Sequence, residues 1–405
     1  MNEKDFIAGI SAKQPDMIEQ LHQLCQINSG SENLAGLEQM SKELSALFKP
    51  IADEIQETPG GEAFTVTMQG LEQPLACGKH LYIRKRPELQ RRILLTGHMD
   101  TVYAIDHPFQ TLRYLNENTI NGPGVSDMKG GLLVMFHALH AFEQLPVAES
   151  IGWDVMINSD EEIGSPTSAS LMDTIAKQYQ AALIYEPATT PQGDLTRNRK
   201  GSGKLTLVAI GRAAHAGRSF YEGRNAICYI APIISAIHAL NGQREGVTIN
   251  VGKIAGGEAL NIVAEKAVIK LDIRISAPED EAWVRAQLDA IASKYHDPDY
   301  QLHIHGAFAR PVKRVDKRTE RLFHRIRNIA QRMGLQINWQ DSGGCCDGNN
   351  IAVHGVPVID TLGVRGGHIH SSNEYILLDS LAERTALSAL LLHELAEGGL
   401  EELHA

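Results

Sequence analysis

The chain has 405 residues, of which 43% are hydrophobic and 21% charged, and a formal net charge of -11. That length exceeds one core of ordinary size and points to two domains, while the acidic balance argues against nucleic acid or an anionic membrane surface as a partner. The five cysteines, Cys25, Cys77, Cys228, Cys345 and Cys346, show no CxxC spacing, which suits a reduced, cytoplasmic protein and not a disulfide scaffold.

The N-terminal stretch MNEKDFIAGISAKQPDMIEQLHQL is polar and helix-like, without the basic-then-apolar order of a secretory signal. Residues 15 to 49 read as one or two amphipathic helices broken at NSGSENLAG. Strand and helix signals then alternate. RRILLTGHMDTV predicts a strand with a polar end, and GGLLVMFHALHAFEQL a helix too short and too histidine-rich to span a bilayer. IGWDVMINSDEE predicts a strand, SPTSASLMDTIAKQY a capped helix and AALIYEPA a short buried strand. Short apolar strands alternating with helices imply an α/β fold with a mixed, largely parallel sheet flanked by helices.

The texture changes near residue 200. GKLTLVAIGRAAHAG alternates as a half-exposed strand does, followed by a helix (NAICYIAPIISAIHAL), two more strands (VTINVGKIAGG, AEKAVIKLDIRIS), a helix (PEDEAWVRAQLDAIASKY) and a last strand (YQLHIHGAF). The order β-α-β-β-α-β is ferredoxin-like. After RPVKR the α/β texture returns. The expected organisation is a main domain in two parts, 1–199 and 311–405, with a smaller α+β domain, 200–310, inserted between them.

Ligands of open α/β sheets bind beyond the carboxyl ends of the strands. Here those ends carry His98 and Asp100, Asp127, the triplet Asp160–Glu161–Glu162, and Glu186, with His370 in GGHIHSSNEYI as a further candidate. One by one, such residues are most often hydrogen-bonded histidines and helix caps. Together they gather carboxylates and imidazoles at one sheet edge, where mutual repulsion calls for cations. Zinc, cobalt and manganese suit those donors.

The ordered motifs INSGSENLAGL, TGHMDTV, GPGVSDMKGG, DEEIGS, YEPA, GRAAHAG, GGEALNIVAEKAVIKLDIR and HSSNEY resemble the co-catalytic metallopeptidases and deacylases. That family includes glutamate carboxypeptidase, acetylornithine deacetylase, succinyl-diaminopimelate desuccinylase and the aminoacylases. The resemblance covers nearly the whole chain. It implies two zinc ions (or cobalt or manganese) bridged by Asp127, one held also by His98 and Glu186, the other by Glu162 and His370. It implies Asp100 as the residue that orients His98, Glu161 as general base, and Asp160 without a catalytic part. His215 would stabilise the oxyanion, often from the partner subunit of a dimer formed by the inserted domain. Asn261 and Arg274 would bind the substrate's carboxylate, although Arg274 also reads as a sheet-surface charge paired with Asp272. Arg365 is a candidate for a second acidic group, and Cys345 and Cys346 read as small residues that shape the pocket.

The implied function is hydrolysis of an amide bond in a small N-acyl amino acid or dipeptide bearing a free carboxylate. An aminopeptidase or dipeptidase is the alternative within the enzymes. A catalytically idle metal- or ligand-binding relative is the alternative outside them, and it would be expected to lack Glu161 or a ligand, none of which is missing.

Overall fold

The computed structural model describes residues 2–404. The main sheet has six strands in the spatial order Glu54–Thr58, His80–Lys85, Gly152–Asn158, Arg92–His98, Ala182–Ile184 and Val358–Ile359. The last four run parallel and His80–Lys85 runs antiparallel to both its neighbours, so the sheet is mixed and largely parallel. Every residue of Arg92–His98 and Gly152–Asn158 is buried. A strand covered on both faces needs apolar side chains in both directions, and this is why these segments read as continuous apolar runs.

One face is covered by helices Gly130–Phe142 and Asp379–Glu394, which pack together, with Gln14–Cys25 against both and Leu34–Phe48 against strand His80–Lys85. Phe48 meets Phe136 edge-on at 5.3 Å. The other face carries Met172 and Ile351, from helices Ala169–Ile175 and Asp347–Ala352, against Leu94, Met156 and Ile184. Helix Ala169–Ile175 differs from its expectation. Ser168 makes no side-chain cap, because its hydroxyl donates instead to Asp160 Oδ1 at 2.5 Å.

Residues 201–310 form a separate four-stranded antiparallel sheet in the order Thr248–Gly256, Lys266–Ile275, Gly201–Ile210, Gln301–Arg310. Helices Ala226–His238 and Glu279–Lys294 supply Ile230, Ile233, Ile237, Val284 and Leu288 to its core. The β-α-β-β-α-β connectivity is that of a ferredoxin-like unit. Strand Gly201–Ile210 is more buried than its alternation suggests. A hairpin from the main sheet's side, Phe64–Val66 with Glu72–Pro74, places Val66 on Val208 and Val268, so the strand's second face is covered too.

Among the described residues, no helix is long and apolar enough to cross a membrane.

The register of the main sheet positions the chemistry. His98 pairs with Asn158, and Thr96 with Ile184. Three neighbouring parallel strands therefore end side by side and lead directly into His98–Asp100, Asp160–Glu162 and Glu186.

Candidate metal centre and active site

Asp127 lies in the turn that precedes helix Gly130–Phe142. Gly124 makes this turn possible with φ of 71°, a region costly for a side chain. Gly131 lets the helix approach the sheet, since a Cβ there would sit 2.0 Å from the Tyr185 carbonyl oxygen. The turn is held by Glu374, whose carboxylate accepts from the backbone N–H of Gly124 (3.1 Å), Ser126 (2.9 Å) and Asp127 (3.0 Å), and from the Tyr103 hydroxyl (2.7 Å). A buried carboxylate that accepts several N–H bonds fixes a loop as firmly as secondary structure would.

His98 Nδ1 lies 3.0 Å from the carbonyl oxygen of Asp100 and 3.4 Å from its Oδ1. A carbonyl only accepts, so this contact puts a proton on Nδ1 and turns Nε2 toward the cluster, where a bound cation would replace the Nε2 proton. Nε2 lies 3.1 Å from Asp127 Oδ1 and 3.8 Å from Glu186 Oε1. The Asp100 carboxylate also accepts from Ser31 Oγ (2.7 Å) and from the N–H groups of Glu161 (3.2 Å) and Glu162 (3.1 Å), which ties the acid triplet to the His98 strand. His370 has φ of 62°, a left-handed backbone that costs a non-glycine residue about 1–2 kcal/mol. In that conformation its Nε2 lies 3.2 Å from Asp127 Oδ2 and 3.1 Å from Glu162 Oε2. Asp127 thus offers one oxygen to each imidazole. One donor atom each from His98, Asp127 and Glu162 falls within 4.8 Å of the others.

The electrostatics are those of crowded negative charge. Burial, with Asp127 adding to it, pushes the Glu162 carboxyl up to about 8 and the Glu186 carboxyl well above the usual range. Hydrogen bonds to Asp127 and Glu162 lift the His370 imidazole to about 11. Burial disfavours charge on His98, but its bonds to Asp100 and Asp127 and the nearby Glu186 outweigh that and raise its pKa well above the ordinary value. Oxygen and nitrogen donors this dense, with a carboxylate between two imidazoles, fit divalent ions.

Glu161 behaves differently from Glu162. It makes no hydrogen bond to an imidazole among the described residues, and Arg310 Nη2 donates to its Oε1 at 2.6 Å. Burial raises it to about 6 against the opposing charge of Arg310. Asp160 turns away and is consumed locally by the N–H and hydroxyl of Thr167 (both 2.7 Å) and by Ser168. Glu161, Glu162, Asp127, Glu186 and His370 line one cleft of about 380 Å³, whose farther wall includes Arg199, Cys345 and Thr361.

The remaining candidates lie elsewhere. His215 and Asn261 are exposed on the inserted sheet's loops, held together by the Ala216 N–H on the Asn261 carbonyl (2.9 Å), and neither lines the cleft in the single chain. Arg274 pairs with Asp272 through two bonds of 2.7 and 3.0 Å and reaches Cys345 Sγ on the cleft wall at 3.3 Å. Arg365 is not free to meet a second acid: it is held by Asp379 and Glu383, both at 3.0 Å, and by the Pro191 carbonyl at 3.2 Å. Cys345 lines the cleft, whereas Cys346 is buried behind it. His368 lines the cleft as a loop histidine beside Tyr375.

Sequence reasoning missed Glu374 and Arg310. Glu374 stands inside HSSNEY, but nothing local reveals that its partners are backbone groups some 250 positions earlier. Arg310 is one arginine at the end of an exposed-looking strand.

Residues 94–394 match Peptidase family M20/M25/M40. The chain is 25% identical over 388 residues to carboxypeptidase G2 of Pseudomonas sp. (strain RS-16), covering 95% of this chain and 91% of that one. It is 25% identical over 381 residues to the succinyl-diaminopimelate desuccinylase of Hahella chejuensis (strain KCTC 2396), covering 88% and 92%. Among solved structures, the M20 family metallo-carboxypeptidase Sso-CP2 from Sulfolobus solfataricus superimposes with a TM-score of 0.72 at 15% identity, over 94% of this chain and 99% of that one. At that identity the likeness concerns the fold.

Proposed function

The chain belongs to peptidase family M20/M25/M40, and on that premise we propose that this hydrolytic enzyme cleaves the amide bond of a small N-acyl amino acid or dipeptide with a free carboxylate, using two zinc ions. The observation that carries the reading is the shared carboxylate: Asp127 turns one oxygen toward His98 and Glu186, the other toward His370 and Glu162, while Glu161 stands beside them in the cleft with its own cationic partner.

The residues divide accordingly. His98, Asp127 and Glu186 would hold one ion, and His370, Asp127 and Glu162 the other, with cobalt or manganese as substitutes. When bound, such a pair polarises a carbonyl and makes water more acidic. Glu161 takes the proton of the attacking water and delivers it to the leaving nitrogen. Asp100 keeps the imidazole of His98 turned with Nε2 toward the cluster. Glu374 keeps the Asp127 turn in place.

Substrate orientation falls to the inserted domain. Arg274 has the forked donor geometry that a carboxylate matches, and Asn261 adds an amide. The test is a matched pair, an N-acyl amino acid and its C-terminal amide. Truncating one member of a buried charge pair costs about 2–5 kcal/mol, so the amide should be cleaved about 30-fold to several thousand-fold less efficiently. Arg274→Ala should erase most of that gap. Equal kcat/KM for acid and amide in the native protein would move the reading to an aminopeptidase.

His215 is proposed to act across a homodimer. Helix Ala226–His238 exposes Ile227, Cys228, Ala231, Pro232 and Ser235, and the edge strand Thr248–Gly256 exposes Ile254, a surface with little charge that suits self-association. Mixed His215→Ala and Glu161→Gln proteins, each inactive, should regain part of the native rate once subunits exchange. A monomer in sedimentation that turns over fully would exclude the arrangement.

A further inference from the structure

Glu161 belongs to the main domain, yet the group that holds it comes from the inserted one. Arg310 is the last residue of strand Gln301–Arg310, where the chain leaves the inserted sheet. Its side chain is only 4% exposed and is absent from the cleft wall, so it is not placed to touch a substrate. Nη2 donates to Glu161 Oε1 (2.6 Å) and to Ser165 Oγ (2.7 Å). Nη1 donates to Asn350 Oδ1 (2.9 Å) and to Asp347 Oδ1. The acceptors are themselves tethered: Ser165 Oγ donates to Asp347 at 2.7 Å, and Asn350 Nδ2 donates to the Ala309 carbonyl at 2.9 Å. The guanidinium therefore sits in a rigid frame with one donor left for the base. Glu161 Oε2 has no hydrogen-bond partner among the described residues, and Glu161 lines the cleft.

The neighbouring strand acts on the same turn. Gly201–Ile210 pairs with Gln301–Arg310, Ser202 opposite Arg310 and Lys204 opposite Ala307. Lys204 Nζ donates to the carbonyl of Ile163 at 3.1 Å. Two adjacent strands of the inserted sheet thus grip both ends of the Glu161–Ile163 turn. A lysine in place of Arg310 would carry the charge but lack the fork that reaches Glu161 and Asp347 together.

We propose that Arg310 is a positioning residue: it fixes one oxygen of Glu161 so that the other faces the scissile bond, and it thereby makes the base's aim depend on the seating of the inserted domain. This rests on the reading of Glu161 as the base.

The experiment uses the full zinc-loaded chain and the best-cleaved member of a set of N-acyl amino acids, with metal content and calorimetric binding of the product amino acid measured alongside. A misaimed base loses much of its typical 10²–10⁴-fold contribution, so Arg310→Met should lower kcat by about 10²-fold or more. KM, product binding and metal content should stay within about threefold of native. Arg310→Lys should recover about tenfold, and added methylguanidinium should partly restore Arg310→Ala. In a Glu161→Gln background, Arg310→Met should change kcat by less than about twofold, because residues that act as a unit are not additive. A raised KM with native kcat would overturn the proposal in favour of substrate anchoring. Equal losses in both backgrounds would overturn it in favour of a general structural part. If Arg310→Met does not fold, the same comparisons on Arg310→Lys decide the matter. A Glu161→Gln protein with native turnover would remove the base reading and this inference with it. A crippled Glu161→Gln beside a native Arg310→Met would remove this inference alone.

Discussion

Glu161→Gln is expected to lower kcat by about 10²–10⁴-fold while the protein keeps its full complement of metal. The amide matches the carboxylate in size and retains an oxygen for Arg310 to donate to, so the surrounding frame of Ser165, Asp347 and Asn350 has no reason to shift. What disappears is the ability to take up a proton. Glu162→Gln, one residue further, should do the opposite. Its carboxylate sits 3.1 Å from His370 Nε2 and close to Asp127, and losing its charge weakens the hold on a cation there. Turnover and metal content measured on both variants separate the two roles. If Glu161→Gln lost metal and Glu162→Gln kept it, the assignment within the triplet would be reversed.

The two carboxylates illustrate how much of this site can be read before folding. A strand buried on both faces is written as an apolar run, and its end as the first polar residues after it. His98, Asp100, the acid triplet and Glu186 are therefore visible as strand ends, and the parallel sheet brings them together because register aligns neighbouring ends. The inserted sheet is visible for a similar reason, since its strands alternate and its helices are continuous. Contacts that depend on how the two sheets meet leave no local trace. Nothing in ARPVKR distinguishes Arg310 from a solvated arginine until Glu161, Asp347 and Asn350 converge on it. The same holds for the buried group of Arg199, Lys313 and Asp360, in which two cations share one carboxylate. Burial of strand Gly201–Ile210 was missed because the hairpin that covers it has strands of three residues each, too short to show a period. The segment SPTSASLMDTIAKQY reads as a capped helix because serine and threonine before a helix usually cap it. Asp160, buried beside Ser168, competes for its hydroxyl and wins.

Exhaustive chelation is expected to abolish hydrolysis, and activity should return in step with about two equivalents of zinc, cobalt or manganese per chain. The electrostatics favour a pair. Four donor residues meet around Asp127, and its two oxygens face different imidazoles, at 3.1 Å from His98 and 3.2 Å from His370. A single ion would leave one imidazole–carboxylate pair facing uncompensated charge. The same geometry predicts a proton signal. Without a divalent cation, burial and Asp127 push Glu162 up to about 8 and Glu186 well above the usual carboxylate range, while hydrogen bonds to carboxylates lift His370 to about 11. Glu162 and His370 lie above neutrality, so at pH 7 both carry protons in the metal-free protein. Ligation requires the deprotonated forms, so loading must expel those protons. Titrating zinc into metal-free protein in weakly buffered solution at pH 7 should therefore acidify it, with release continuing to the second equivalent. The loaded protein should also unfold at a higher temperature, because an ion that binds only the folded chain at about 100 times its dissociation constant adds about 2.7 kcal/mol. Full turnover at one stably bound equivalent, with proton release complete at that point, would mean that the second half of the cluster does not take part.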